Sequence, residues 1–527
     1  MKKTTLFKNG IIIDGTGEKS YQGDILIEDN IIKKIGNIEE NKHFDSIIDV
    51  NGSYLSPGFI DMHSHVDLTN YIPGDMKAKI MQGITSEVIG QCGVGVAPMP
   101  IDKQEGWRKN LILGNPPIEW NWESTAEFLD SLEKNGVESN IIPFTGHGVL
   151  RYAVKKDKSG KLNDDELRQI KKFTEEAFNA GIFGLSFGFI YIPALFSDKR
   201  EIETVLDVAS DYKGIIAVHL RSESDELLDA IKEMINYTEK RDCRLHISHL
   251  KAIGEKNWDK IDSALKLIED NGLDFDHYPY CAGSTTLIAV FPPFVVEGNG
   301  IDDTIQKLQD KKIRERIKKI FSGEEKMKKG LPWDNIPALV GWDNIRVIDV
   351  ETEKNKMFVG MNIEEIAKKR NTSPADTAMD LIIEEKGNVR MIDFYMQEEQ
   401  LIKIMKNERG MFGTDSLIGG KAHPRVYGTY PRIINTYVRE KKVLTMEKAI
   451  EKMTSKPAEV LRLSKRGYIK EGYYADLLVF NDNFKDCSSY EEPECFPSGL
   501  EYVFINGKIK VKKGKYLNNH PGKVIKK

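Results

Sequence analysis

The chain has 527 residues, 40% hydrophobic and 30% charged, a balance that excludes a disordered protein and predicts a globular chain with one large core and smaller attached units. The net charge of −5 is spread without block asymmetry, which argues against a nucleic-acid partner. No window holds the roughly 18 continuous apolar residues of a membrane span and Met1-Lys2-Lys3-Thr4-Thr5-Leu6-Phe7 lacks a secretion signal's apolar region, so a cytoplasmic protein without a membrane partner is expected.

The first fifty residues alternate apolar runs with the turn signals Asn9-Gly10 and Asp14-Gly15, the pattern of a small antiparallel β unit. The far end repeats it, with strand-like runs at 472–480 and 502–511 and a turn at Asn506-Gly507. Neither end is large enough to bury a core alone, so residues 1–54 and 462–527 are expected to form one composite β domain. Between them, over 55–461, strand-like runs alternate with amphipathic helical stretches. Candidate strands fall at 58–63, 86–91, 140–146, 182–187, 215–220, 244–249, 273–279 and 410–415. Eight such runs predict an α/β fold, a TIM-like (β/α)8 barrel. One outer helix is capped by Asn163, buries Leu167, Ile170, Phe173 and Ala177, and stops at Gly181. The gap between the seventh and eighth strands is too long for one crossover helix, and an inserted subdomain is expected at 290–345. The five cysteines, at 92, 243, 281, 487 and 495, are irregularly spaced and predict no disulfide framework.

Barrel chemistry sits at the C-terminal ends of the strands, and the reactive residues fall there. His63 and His65 follow the first strand, on the same side of it because side chains alternate. Cys92 follows the second and His147 the third; His219 ends the fifth, His249 the sixth, Tyr278 and Tyr280 the seventh, and Asp415 the eighth. Each has a plain explanation alone: a small buried thiol, a hydrogen-bonded core histidine, a turn cap. Together they predict a metal site. His246, three residues before His249, is expected to face away as a core histidine.

The motifs also carry a resemblance. Pro57-Gly58-Phe59-Ile60-Asp61-Met62-His63-Ser64-His65-Val66-Asp67 resembles the first-strand signature of the amidohydrolase superfamily. Gly83-Ile84-Thr85-Ser86-Glu87-Val88-Ile89-Gly90-Gln91-Cys92-Gly93, Gly146-His147-Gly148-Val149-Leu150-Arg151, Gly184-Leu185-Ser186-Phe187-Gly188-Phe189-Ile190-Tyr191, His246-Ile247-Ser248-His249-Leu250-Lys251, Tyr278-Pro279-Tyr280 with Ser284-Thr285, and Gly413-Thr414-Asp415 with His423-Pro424-Arg425 are similar, in order, to the N-acyl-D-amino-acid deacylases (D-aminoacylases). The resemblance implies one tightly bound zinc on Cys92, His219 and His249. It also implies a second position, weaker or empty, bounded by His63, His65 and Asp415. The fourth strand has no lysine to be carboxylated as a metal bridge, so Cys92 is expected in that place.

The function so implied is hydrolysis of the amide of a small-molecule N-acyl-D-amino acid to a carboxylate and a free D-amino acid. Zinc acidifies water, Asp415 serves as general base and then acid, and Tyr191 or His65 donates to the oxyanion. Lys251 and Arg425 are candidate clamps for the substrate α-carboxylate, and the resemblance adds Tyr278 and Ser284. The rivals are a cyclic amidase or isoaspartyl dipeptidase on the same scaffold, and a non-catalytic barrel. Side-chain preference and oligomeric state are not legible in the residues.

Overall fold

The structure is a computed structural model, and it describes residues 3–40, 43–108, 118–155, 159–298, 300–327, 333–418 and 422–527. Eight short strands, Phe59–Asp61, Ile84–Ile89, Asn140–Gly146, Gly184–Gly188, Ile215–His219, Arg244–Ile247, Asp274–His277 and Gly410–Phe412, pair in parallel in that order. All but the first residue of the sixth are buried throughout, because helices cover one face and the barrel interior the other. The ring closes where Met62 N donates to the Phe412 carbonyl (3.3 Å) and Ser64 bridges in parallel to Ser416. Ile60, Met62, Val88, Ile142, Phe144, Phe183 and Met411 pack together between the strands. On the outside, helix Asp164–Asn179 begins at its expected cap, Asn163, which forms a reciprocal capping box with Glu166. It buries Leu167, Ile170, Thr174, Ala177 and Phe178, and the chain turns away at Gly181, whose φ of +100° favours glycine.

Both chain ends enter one nine-stranded sheet. Its join is the antiparallel pairing of Tyr54–Pro57 with Leu477–Lys485. The Asn506-Gly507 turn forms as expected, with Ile505 opposite Lys508. Asn9-Gly10 does not turn the chain. It is a bulge inside strand Thr4–Ile12, with Asn9 at φ 58° and its N–H donated to the Asp24 carboxylate (3.0 Å). Cys487 and Cys495, read singly from the sequence, form a disulfide eight residues apart, a local pin rather than a framework.

The excursion between the seventh and eighth barrel strands runs wider than 290–345. It has its own antiparallel sheet, Ala282–Thr286, Val389–Phe394 and Ile345–Val350, and helices that include Ile301–Gln309, Lys311–Phe321 and Pro374–Glu384, which pack on one another. Residues 299 and 328–332 of the expected stretch lie outside the described residues. The pairing of Gly283 with Asp393 closes a long loop, which local pattern does not reveal.

Beneath the barrel mouth lies a buried charged network. Lys79 Nζ pairs with Asp61, sits 3.3 Å from Glu87, and donates to Thr414 Oγ1 (2.6 Å) and Ser416 Oγ (2.9 Å). Asp61 accepts from the N–H groups of His63 (3.2 Å) and Thr414 (2.8 Å). The network ties the first, second and eighth strands together directly under the residues that carry the chemistry. Removing one partner of a buried pair leaves an uncompensated charge, so Lys79→Met is expected to cost about 3–5 kcal/mol. Urea unfolding measures it, and a loss below about 1 kcal/mol would show that the network does not hold the closure.

Candidate metal centre

Cys92 lies in a turn between Gly90 (φ 72°) and Gly93 (φ 71°), each where side chains are rarely tolerated. A Cβ on Gly90 would stand 2.2 Å from the Phe144 carbonyl, so the turn presses against the neighbouring strand. Ser186, on the fourth strand, clamps it by accepting from Gly93 N (2.9 Å) and donating to the Gly90 carbonyl. Cys92 (φ 53°), His249 (φ 36°) and Asp415 (φ 47°) all have left-handed backbone, which costs a non-glycine residue about 1 kcal/mol or more. Three strained residues at three strand ends, converging on one point, mark a functional site.

The convergence is tight. Cys92 Sγ lies 3.2 Å from His63 Nε2, 3.4 Å from His249 Nε2 and 3.7 Å from His219 Nδ1. Two ligand sets share that sulfur: Cys92 with His219 and His249, and Cys92 with His63, His65 and Asp415; within each set the donor atoms lie within 4.8 Å of one another. Asp415 Oδ1 is 3.2 Å from His65 Nε2 and 3.6 Å from His63 Nε2, and its Oδ2 is 2.9 Å from Arg425 Nη1. All nine-tenths or more buried, these groups shift one another strongly. Burial alone would raise the Cys92 thiol, but His63, His249 and His219 bring it well below its ordinary value. Burial would likewise raise Asp415, yet Arg425, His63 and His65 hold its carboxyl well below the usual range. Against burial, which lowers it, the surrounding anions lift His63 well above its ordinary value, and Glu223 and Cys92 lift His249 to about 9.

Such a cluster wants positive charge, and a divalent cation supplies it by displacing protons. The residues fit one. A thiolate with imidazoles is the donor chemistry of zinc. The far nitrogens are also set as metal-bound histidines require: His249 Nδ1 faces Glu223 (3.0 Å), His219 Nε2 faces Glu223 (3.6 Å), and His63 Nδ1 faces Asp276 (3.4 Å).

The expected site residues fall into three groups. Cys92, His63, His65, His219, His249 and Asp415 form the cluster. Tyr191 and Tyr278 line the adjoining cavity of about 80 Å³ with Ser284, Thr285 and Lys251. Tyr191 stacks edge-on against His219 (5.1 Å) and its hydroxyl is 3.3 Å from Thr285 Oγ1. Arg425 sits over the Tyr278 ring (4.7 Å) and donates to the Ser284 carbonyl (3.3 Å). Lys251 is not a free clamp: its Nζ donates to Glu223 (2.6 Å) and sits 2.7 Å from His249 Nδ1. His147 and Tyr280 stand apart. His147 Nε2 pairs with Glu201 (2.8 Å), and Tyr280 packs against His423 and Arg432. His246 Nε2 binds Asp276 (2.7 Å), the carboxylate that also faces His63. The reading of strand ends missed Glu223, Asp276 and Ser186. Glu223 lies four residues after His219, and Asp276 and Ser186 sit within strands, where a polar residue in a buried run is the available signal.

Thiol, imidazole and carboxylate gathered at the C-terminal mouth of a parallel barrel define a barrel of the metal-dependent hydrolase class. The chain belongs to the amidohydrolase family, whose model matches residues 46–274 and 363–511 and passes over the first part of the excursion. It is 28% identical to a D-aminoacylase of Alcaligenes xylosoxydans xylosoxydans, over 99% of this chain and 97% of the relative. It is 29% identical to an N-acyl-D-aspartate deacylase of the same organism, over 94% and 90%. A solved N-acyl-D-glutamate deacylase from Bordetella bronchiseptica, complexed with zinc and a phosphonate mimic of the tetrahedral intermediate, superposes with a TM-score of 0.84 at 26% identity, covering 100% of both chains.

Glu223 orients two imidazoles at once, so Glu223→Gln is expected to weaken zinc binding about 10–100-fold. Competition against a chromophoric chelator measures the affinity; an unchanged value would contradict the orienting role.

Proposed function

We propose that this protein hydrolyses the amide bond of N-acyl-D-amino acids, with zinc on Cys92, His219 and His249 and a weaker second position bounded by His63, His65 and Asp415. The observation that carries the reading is the shared sulfur: Cys92 faces three imidazoles, beside a carboxylate that takes no part in the first set. The named activities of the deacylase relatives support it. When bound, the metal supplies Lewis acidity, which acidifies water and polarises a carbonyl.

The protein's own groups do the rest. Asp415 is held ionised by Arg425 on one oxygen and presents the other beside His65, so it takes a proton from the attacking water and delivers it to the departing amine. Tyr191 is the oxyanion donor. Burial and the anions around it keep its hydroxyl protonated, hence able to donate. His65, tied to Asp415, orients that carboxylate and donates beside the reacting carbonyl. Arg425 clamps the α-carboxylate with Tyr278 and Ser284: it is buried against the Tyr278 ring, and its Nε has no hydrogen-bond partner among the described residues. Lys251, engaged with Glu223, adds charge to the clamp from behind.

An apolar cavity of about 130 Å³ adjoins the site across Ile190, Tyr191, Ala289 and Trp333. It lies on the Tyr191 side, where the acyl half of the substrate leaves the scissile carbonyl. Amine release from N-acetyl-D- and N-acetyl-L-amino acids, alongside a hydantoin, tests the activity; turnover of the ring alone would overturn it. Asp415→Asn is expected to keep its zinc while kcat falls about 100-fold or more. Full turnover in a zinc-loaded Asp415→Asn protein would remove Asp415 as the base.

A further inference from the structure

Four acids line the cavity beside the cluster, and three of them have partners. Glu223 is taken by Lys251 and His249, and Asp415 by Arg425 and His65. Asp334 accepts from Ser222 Oγ, Ser224 Oγ and Glu223 N. Asp393 is the fourth. It is 6% exposed, lines the cavity, and among the described residues has no ion pair and no hydrogen bond to another side chain, its carboxylate accepting only from its own backbone N–H. Burial, with Glu223 nearby, pushes its carboxyl up to about 6 against the pull of Lys251 and Arg425. A buried carboxylate without a counter-charge is costly.

The fold makes room for it. Asp393 pairs across the excursion's sheet with Gly283, and a Cβ there would stand 3.0 Å from Asp393 Oδ1, 3.1 Å from the Tyr395 ring and 3.6 Å from the Tyr278 hydroxyl. Asp393 therefore lies next to the tyrosine of the α-carboxylate clamp. In an N-acyl amino acid, the α-carboxylate and the side chain hang from one carbon, while the acyl group lies across the scissile bond. A substrate seated in that clamp sends its side chain, not its acyl group, toward Asp393.

We infer that Asp393 is the specificity-determining residue of this site, selecting D-amino acids whose side chains end in a cation, such as D-lysine or D-arginine, and excluding D-aspartate and D-glutamate. The inference rests on the deacylase reading and deepens it. Among the described residues that line the cavity, Lys251 is the one lysine and is engaged with Glu223, and Arg425 beside them is taken by the α-carboxylate, which leaves no cation for an acidic side chain.

The test compares N-acetyl-D-lysine, N-acetyl-D-leucine and N-acetyl-D-glutamate on the zinc-loaded protein, as wild type, Asp393→Asn and Asp393→Glu. Calorimetric binding of the same compounds to the Asp415→Asn protein, with and without Asp393→Asn, gives a readout that needs no turnover. Wild type is expected to favour the D-lysine compound over the D-glutamate compound by about 100-fold or more, an attractive charge pair set against a repulsive one. Asp393→Asn is expected to lower kcat/KM and affinity for the D-lysine compound about tenfold or more, as loss of a charge-assisted hydrogen bond does. The D-leucine compound is expected to change less than about threefold, and Asp393→Glu, which keeps the charge, to retain the basic preference. Preference for the D-glutamate compound, or unchanged affinity for the D-lysine compound in Asp393→Asn, overturns the inference. Failure of all three to be hydrolysed while the binding preference stands overturns the deacylase reading instead.

Discussion

A thiolate inside a protein needs positive charge within a few ångströms, and the site is arranged around that requirement. Cys92 Sγ has imidazole nitrogens on three sides at 3.2 to 3.7 Å, contributed by the first, fifth and sixth strands. No single strand can supply this. Only a closed parallel barrel brings strand ends distant in sequence to one point, which is why closure, turn geometry and site chemistry stand or fall together. The same sulfur belongs to both ligand sets, and the fourth strand, which has no lysine, contributes a ligand to neither. The fourth strand instead contributes Ser186, which holds the Cys92 turn through two backbone groups.

Around the cluster, the outward nitrogens of His63, His219 and His249 each meet a carboxylate. Glu223 serves His219 and His249 and is itself neutralised by Lys251; Asp276 serves His63 and also ties down His246 and the His249 backbone. These acids fix ring orientation before any metal arrives, and the left-handed backbone at Cys92, His249 and Asp415 shows that local conformational preference yields to that geometry. The Lys79 network below holds both neighbours of Asp415, because Thr414 Oγ1 and Ser416 Oγ each accept from Lys79 Nζ.

The barrel was legible because its strands are buried on both faces and so read as short apolar runs; the cluster was legible because its residues sit where those runs stop. Glu223 was hidden in a loop as an ordinary acid, and Asp276 within the Asp-Phe-Asp-His run of the seventh strand. Lys251 reads from sequence as a cation poised beside a ligand, but the carboxylate that claims it lies on another strand's loop. Asp393 was invisible for a different reason. It enters the site from the excursion's sheet, by pairing with a glycine more than a hundred residues earlier, and nothing in its local sequence distinguishes it from a surface acid. Asn9-Gly10 misled in the opposite direction: the dipeptide that closes hairpins also builds bulges, and the choice depends on Asp24 across the strand.

The proposed chemistry depends on Cys92 being a metal ligand shared with histidines, and the coordination shell tests that most directly. X-ray absorption at the zinc edge, on protein loaded with one equivalent, is predicted to show one sulfur at about 2.3 Å together with imidazole nitrogens at about 2.0 Å. A shell of nitrogen and oxygen alone, with no sulfur, would contradict it.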